Sequence, residues 1–231
     1  MPKFTVTGDV DPFLHVALKR GETIYCESDA MVMMEATLDL KGKMKGGLGS
    51  ALMRTFANGE SFFQQHIEAV RGDGDCLLSP TLPGAMQVVD CGPSQYIVSD
   101  GAFVAATSSV DLRVRTQSLG NALFAQSGGF FVMETAGQGQ VVVSGFGSMH
   151  MLEVEPGKDA IIDNSHVVAW DSSLHYEVSI TTGQSGGFLG NLINSQTSGE
   201  GIVLRFSGRG KVFICSRNRD AFKAYMQSPK G

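Results

Sequence analysis

Lysine and glycine stand together in KGKMKGGLGSALMR, residues 41–54. Lys41, Lys43 and Lys45 lead into Gly46, Gly47 and Gly49, and a short apolar run follows. A bendable backbone, positive charge and the amide donors of a helix start would together suit a phosphate group. The pattern does not complete a nucleotide loop. A Walker loop requires GxxxxGK[ST], and a dinucleotide fingerprint requires GxGxxG between a strand and a helix of a βαβ unit. Here the third glycine is missing and no βαβ alternation surrounds the segment. Two sister segments, LGNAL at Leu119 and LGNLI at Leu189, lack the lysine run. The shared role of the segment is therefore structural, and any special role of the first copy rests on its lysines.

The basic residues form a second candidate. Lys41 and Lys43 alternate along an expected strand, and Arg113 and Arg115 hold the matching places some seventy residues on. Alternation puts such pairs on one strand face. Lys41, Lys43, Lys45, Arg113 and Arg115 are the candidate contacts for an anion, either nucleic-acid phosphate or a lipid headgroup. The third matching place holds Glu177 and Ser179, which breaks the stripe, and Tyr176 is the sole nearby aromatic for base stacking. A formal net charge of -5 favours an ordinary solvated face over a nucleic-acid binder.

Metal and nucleophile chemistry find less. His166 and His175 flank an expected strand with Asp171 and Glu177 close in sequence, which invites comparison with cupins. The closely spaced His-x-His with a following Glu is absent, and the segment around His150, MHMLEVE, has one histidine. A metal needs three or four converging ligands. GFGSMH around Ser148 and GLGSAL around Ser50 both fail the GxSxG pattern. The expectation is a protein with no catalytic residues, no metal and no cofactor.

The elements that would position these residues recur three times. IYCESDAMVMME from Ile24, YIVSDGAFVAAT from Tyr96 and AIIDNSHVVAWD from Ala160 each read as strand, polar turn and strand, and the turns Ser28-Asp29, Asp100-Gly101 and Asn164-Ser165 carry hairpin chemistry. Alternating strands follow in LDLKGK, VDLRVR and LHYEVS. Gly-x-Gly recurs in GDGDCLL at Gly72, GQGQVVV at Gly137 and GRGKVFI at Gly208, and predicts a tight hairpin turn with positive φ. Three patterns in one order at near-equal spacing predict a triplicated all-β unit of about 70 residues. The expected division is one compact body of three repeats, 1–85, 86–149 and 150–231. A pseudo-threefold arrangement is expected, and a linear array fits the same spacing. RNRDAFKAYMQ near the end predicts a short capping helix, with Ala221, Phe222 and Tyr225 on one side.

Composition agrees with an all-β chain. Glycine makes up 29 of 231 residues, about 13% against about 7% on average. No stretch approaches the roughly 20 apolar residues of a membrane span, and MPKFTVTGDVD lacks the core of a signal peptide. Cys26, Cys76, Cys91 and Cys215 never form CxxC, and are read as reduced thiols in a cytoplasmic protein. Met31, Val32, Met33 and Met34 form a Met-rich strand, and Phe62, Phe63, Phe130, Phe131 and Phe188 flank glycine-rich loops. Most of this is expected in the core, with part of it an exposed patch for self-association.

The run GLGSALMRTFANGESFFQ, followed by GDGDCLLSPTLPGAMQVVD, resembles the bacterial relatives of the mitochondrial family named for altered inheritance of mitochondria, member twenty-four. The Leu-Gly-Asn copies and SDGAFVA fit it too, and the resemblance spans nearly the whole chain. It implies three units like the tryptophan RNA-binding attenuation protein (TRAP-like), each a flattened double-stranded β-helix. It supplies no activity and no catalytic residues; the mitochondrial relative is linked to inner-membrane organisation and respiratory-chain assembly.

The resulting expectation is a non-enzymatic scaffold or interaction protein, all-β and self-assembling or bound to a protein partner. The alternatives are a nucleic-acid-binding module using the basic strand face and a small-molecule binder in a cleft between repeats.

Overall fold

The computed structural model describes residues 1–43, 64–117, 130–179 and 203–228. Short alternating segments punctuated by glycine and polar turns form nineteen strands among these residues, with one α-helix at the C-terminal end. The fold is all-β, and every ladder between its strands is antiparallel.

The first stretch contains β1 (Lys3–Thr7), β2 (Phe13–Leu18), β3 (Thr23–Glu27), β4 (Met31–Met34), β5 (Leu38–Lys43), β6 (Gln64–Ala69) and β7 (Gly74–Leu78). The second contains β8 (Met86–Cys91), β9 (Tyr96–Ser99), β10 (Phe103–Thr107), β11 (Val110–Gln117), β12 (Phe130–Gly137) and β13 (Gly139–Ser144). The third contains β14 (Met149–Val154), β15 (Ala160–Asp163), β16 (Val167–Asp171), β17 (His175–Ser179), β18 (Val203–Ser207) and β19 (Gly210–Cys215). The helix α1 (Arg219–Gln227) follows.

Four sheets result, with strand orders β1-β2-β7-β4, β5-β6-β3-β10-β13-β8, β11-β12-β9-β16-β19-β14 and β15-β18-β17. In the second sheet, β3 of the first stretch meets β10 of the second; in the third, β9 of the second meets β16 of the third. Among the described residues β4 and β15 each end a sheet.

The turns expected to be hairpins are corners. Glu27 to Met31 joins β3 to β4, yet those strands lie in different sheets, as do β9 and β10's inner partners β12 and β13. Asp29 and Gly101 are left-handed, with φ +64° and +71°, whereas the third copy turns through a 3-10 helix over Asn164–His166. A tight polar turn has the same local chemistry whether the chain folds back on itself or crosses to a facing layer.

The Gly-x-Gly segments are corners for the same reason. Gly137, Gly139 and Gly208 have positive φ, whereas Gly72, Gly74 and Gly210 do not. What the second glycine of each pair shares is close approach. A Cβ there would meet Leu38 at 2.9 Å from Gly74, Val110 at 3.0 Å from Gly139, and Leu174 at 2.9 Å from Gly210. A polar side chain crowds each position too, Thr37 at Gly74, Thr107 at Gly139 and Asp171 at Gly210, so the corner closes only without a side chain.

Burial alternates along β2, β3 and β7 but is continuous along β9 and β10, and three apolar clusters form. Leu14, Ile24, Ile67 and Leu78 pack with Val104 and Val142. Val98, Phe103 and Val141 pack with Val168 and Phe213. Trp170, Leu204 and Phe206 pack with Ile97 and Val132. Each cluster is thus shared by neighbouring stretches, and the first draws no residue from the third stretch. Asn218 caps α1 by accepting from the amide of Ala221 at 2.9 Å, and Phe222 meets Phe146 edge-on at 5.2 Å. Tyr225 and Met226 remain exposed, so the helix docks through one end of its apolar side.

Candidate functional site

The basic residues lie where alternation put them, on β5 and β11. Exposed Lys41 forms an ion pair with Glu68 on neighbouring β6, Nζ to Oε2 3.1 Å. Arg113 pairs with Asp111 on its own strand, Nε to Oδ2 3.2 Å, and faces Glu134 across the ladder. At the matching place Glu177 stands opposite Arg205 and 3.5 Å from His175. Lys43 is opposite Gln64 and Arg115 opposite Val132, with their side chains outside the described set. Lys45 lies outside the described residues, as do the three Leu-Gly segments, GESFF and Ser50.

The histidines do not converge. The Nδ1 atom of His166 is 2.7 Å from the carbonyl of Cys215, and His15 is 3.3 Å from Asp75. Among the described residues no group of three or more His, Cys, Asp or Glu is placed to hold a metal. Ser148 donates its backbone amide to the Ser216 hydroxyl at 2.9 Å, a loop contact. All four cysteines are buried and free. Burial pushes the thiols of Cys26 and Cys76 up to about 12, which keeps them protonated and unreactive at neutral pH.

One half-buried carboxyl is perturbed upward. Burial, then Asp100 and Asp29, pushes Glu27 up to about 7. Glu27 ends β3 beside the first inter-stretch junction, and Asp29 and Asp100 sit on the two corner turns. Three carboxyls near one another favour the protonated form of the most buried.

The larger feature is the pair of open strand edges. β4, β10 and β16 share a local design: each follows a corner and pairs with the last strand of its own stretch through a bulge at its second residue. The bulged residues are Val32, Val104 and Val168. Val104 is 0% and Val168 2% exposed, whereas Val32 is 54% exposed. Met33 beside it is exposed as well. On the complementary strands, Ile97 of β9 is 8% exposed and Ile161 of β15 is 60% exposed. β10 and β16 are each paired on both sides; among the described residues β4 and β15 are paired on one. The open edges carry apolar residues of the kind that the inner strands bury. Sequence reasoning singled out the Met-rich strand but not Ile161, whose signal was its position in the third copy of the strand-turn-strand pattern.

Comparison with known proteins assigns the chain. A family model described as Mitochondrial biogenesis AIM24 matches residues 4–217. The chain belongs to the AIM24 family. It is 33% identical over 227 residues to the uncharacterized protein M6_Spy0233 of Streptococcus pyogenes serotype M6, covering 95% of this chain and 88% of that protein. Its fold matches the crystal structure of protein SPYM3_0169 from Streptococcus pyogenes with a TM-score of 0.79 and 31% identity, over 98% of this chain and 99% of that one. The resemblance drawn from GLGSALMRTFANGESFFQ and its neighbours is thereby borne out, as is the all-β fold. No helix among the described residues is long and apolar enough to cross a membrane.

Proposed function

We propose that the protein is a non-enzymatic scaffold, built from three copies of one β unit and assembling with itself through the open edges of its outer sheets. The observation that carries this reading is the exposure of Val32, Met33 and Ile161 on strand edges that have no ladder partner among the described residues. Exposed apolar edges template further strand pairing, and soluble proteins usually blunt them with charge, proline or a covering loop. β4 reads MVMM and β15 reads AIID, so three of the four β4 side chains are methionine and charge appears only at the end of β15.

The unit repeat is supported by three observations: six strands pair in the same way in each stretch, the bulge recurs at one position, and the second glycine of each Gly-x-Gly abuts an apolar residue at the equivalent place, Leu38, Val110 or Leu174. The ion pairs of Lys41 and Arg113 support reading the basic face as a solvated surface, and nucleic acid ranks second for that reason. Four free, buried thiols support work in a reducing compartment, the cytoplasm.

Sedimentation velocity tests self-assembly. The expected result is an oligomer at micromolar concentration that shrinks on dilution. A monomer at every concentration overturns the reading.

A further inference from the structure

We infer that copies join head to tail, with β15 of one copy adding as an antiparallel strand to β4 of the next, in the register that already joins the stretches within the chain. This rests on the scaffold reading above and says how the copies meet.

The register comes from the two internal junctions. At the first, Ile24, Tyr25 and Cys26 of β3 stand opposite Thr107, Ala106 and Ala105 of β10. At the second, Tyr96, Ile97 and Val98 of β9 stand opposite Asp171, Trp170 and Ala169 of β16. Within the twelve-residue strand-turn-strand pattern these are the same places both times: the first faces the twelfth, the second the eleventh, and the third the tenth. The third copy supplies Ala160, Ile161 and Ile162 on an edge with no ladder partner among the described residues, and the first copy supplies Glu35, Met34 and Met33 at the matching places. The inferred contact pairs Ala160 with Glu35, Ile161 with Met34, and Ile162 with Met33 of the next copy.

Sheet order makes the same point. Joining the three-stranded and four-stranded sheets at these edges gives β17-β18-β15-β4-β7-β2, with β1 added at the end. That order matches β5-β6-β3-β10-β13-β8 and β11-β12-β9-β16-β19-β14 place for place. The contact would complete a third sheet of the kind the chain builds twice. It would bury Val32 and Ile161 as Val104, Val168 and Ile97 are buried. Because the two edges differ, the contact is heterologous, and it propagates from copy to copy until a ring closes or a filament grows.

The test uses the full chain and two single variants, Ile161→Cys and Met34→Cys, mixed in equal amounts and oxidised. Directly opposed residues of an antiparallel pair have Cα atoms about 4.5–5.5 Å apart, within disulfide reach. Mass spectrometry of the cross-linked peptides should find a disulfide between the Ile161→Cys site of one chain and the Met34→Cys site of another. Links only between like sites would mean a symmetric contact and would overturn the inference, as would no link in a sample that sedimentation shows to be oligomeric; the scaffold reading survives both results. A monomeric sample removes both. Should either cysteine variant misfold, Ile161→Lys serves instead, since a charge on an edge blocks strand addition. It should weaken association about tenfold or more while leaving the far-ultraviolet circular dichroism unchanged. Unchanged association of that folded variant overturns the inference.

Discussion

β10 and β4 start from the same local chemistry and reach different ends. Both follow a polar corner, both are bulged at their second residue, and both pair on one side with the last strand of their stretch. β10 also meets β3 of the preceding stretch, and all five of its residues are buried. β4 meets no second strand among the described residues, and its middle two residues are exposed. The difference teaches that burial of these strands is set by whether a second strand lies alongside, and not by the strand itself. The same contrast separates β9 from β15.

The largest effect that would sharpen this contrast is expected at the second junction. Trp170 is fully buried and stacks edge-on against Tyr176 at 5.2 Å and Phe206 at 5.6 Å. Trp170→Ala should lower stability by about 3–5 kcal/mol in urea unfolding. Met34→Ala, at the matching place on β4, should lower that of the dilute protein by about 1 kcal/mol or less. Equal losses would break the comparison.

Next comes the corner, which should not distinguish inner from outer stretches. Gly74→Ala presses a methyl group onto Thr37 and Leu38, and Gly210→Ala onto Asp171 and Leu174, so each should cost about 1–3 kcal/mol. Gly92→Ala, with open space around its Cβ position, should be near neutral. A much smaller loss at Gly74 than at Gly210 would show that the first stretch packs its corner differently.

A smaller effect, dependent on pH, is expected at the first junction. Glu27 binds its proton more tightly folded than unfolded, because its folded value near 7 lies above the ordinary 4.5. Between those values the native state holds the extra proton, so its contribution to stability falls as pH rises through the window. Glu27→Gln should therefore raise the melting temperature at pH 8 and change it little at pH 4. The reverse order would mean that the carboxylate is held by a partner and not penalised by burial.

The smallest effect belongs to the basic face. Lys41→Ala removes an exposed ion pair and should change stability by about 0–1 kcal/mol. A salt-sensitive gel shift with single-stranded RNA that this variant abolishes would instead favour the nucleic-acid alternative.

Much of the fold was legible in the sequence because alternation and turn chemistry are local. The runs from Ile24, Tyr96 and Ala160 each became a strand, a corner and a strand, and RNRDAFKAYMQ became a helix. Pairing was not legible, since Asp100-Gly101 makes the same tight turn in a hairpin and in a corner between layers. The candidate edges were half legible. Met31 to Met34 stood out by composition, whereas Ile161 looks like an ordinary core residue until β15 is seen to end its sheet among the described residues. The lysine-rich segment that first suggested chemistry contributes Lys41 to an ion pair with Glu68.

Hydrogen exchange at the two edges tests the central claim most directly. If copies pair through β4 and β15, the amides of residues 31–35 and 160–163 should exchange slowly in concentrated protein, comparably to β10 and β16, and lose that protection on dilution. Exchange at those amides that is fast and independent of concentration, while β10 and β16 stay protected, would contradict it.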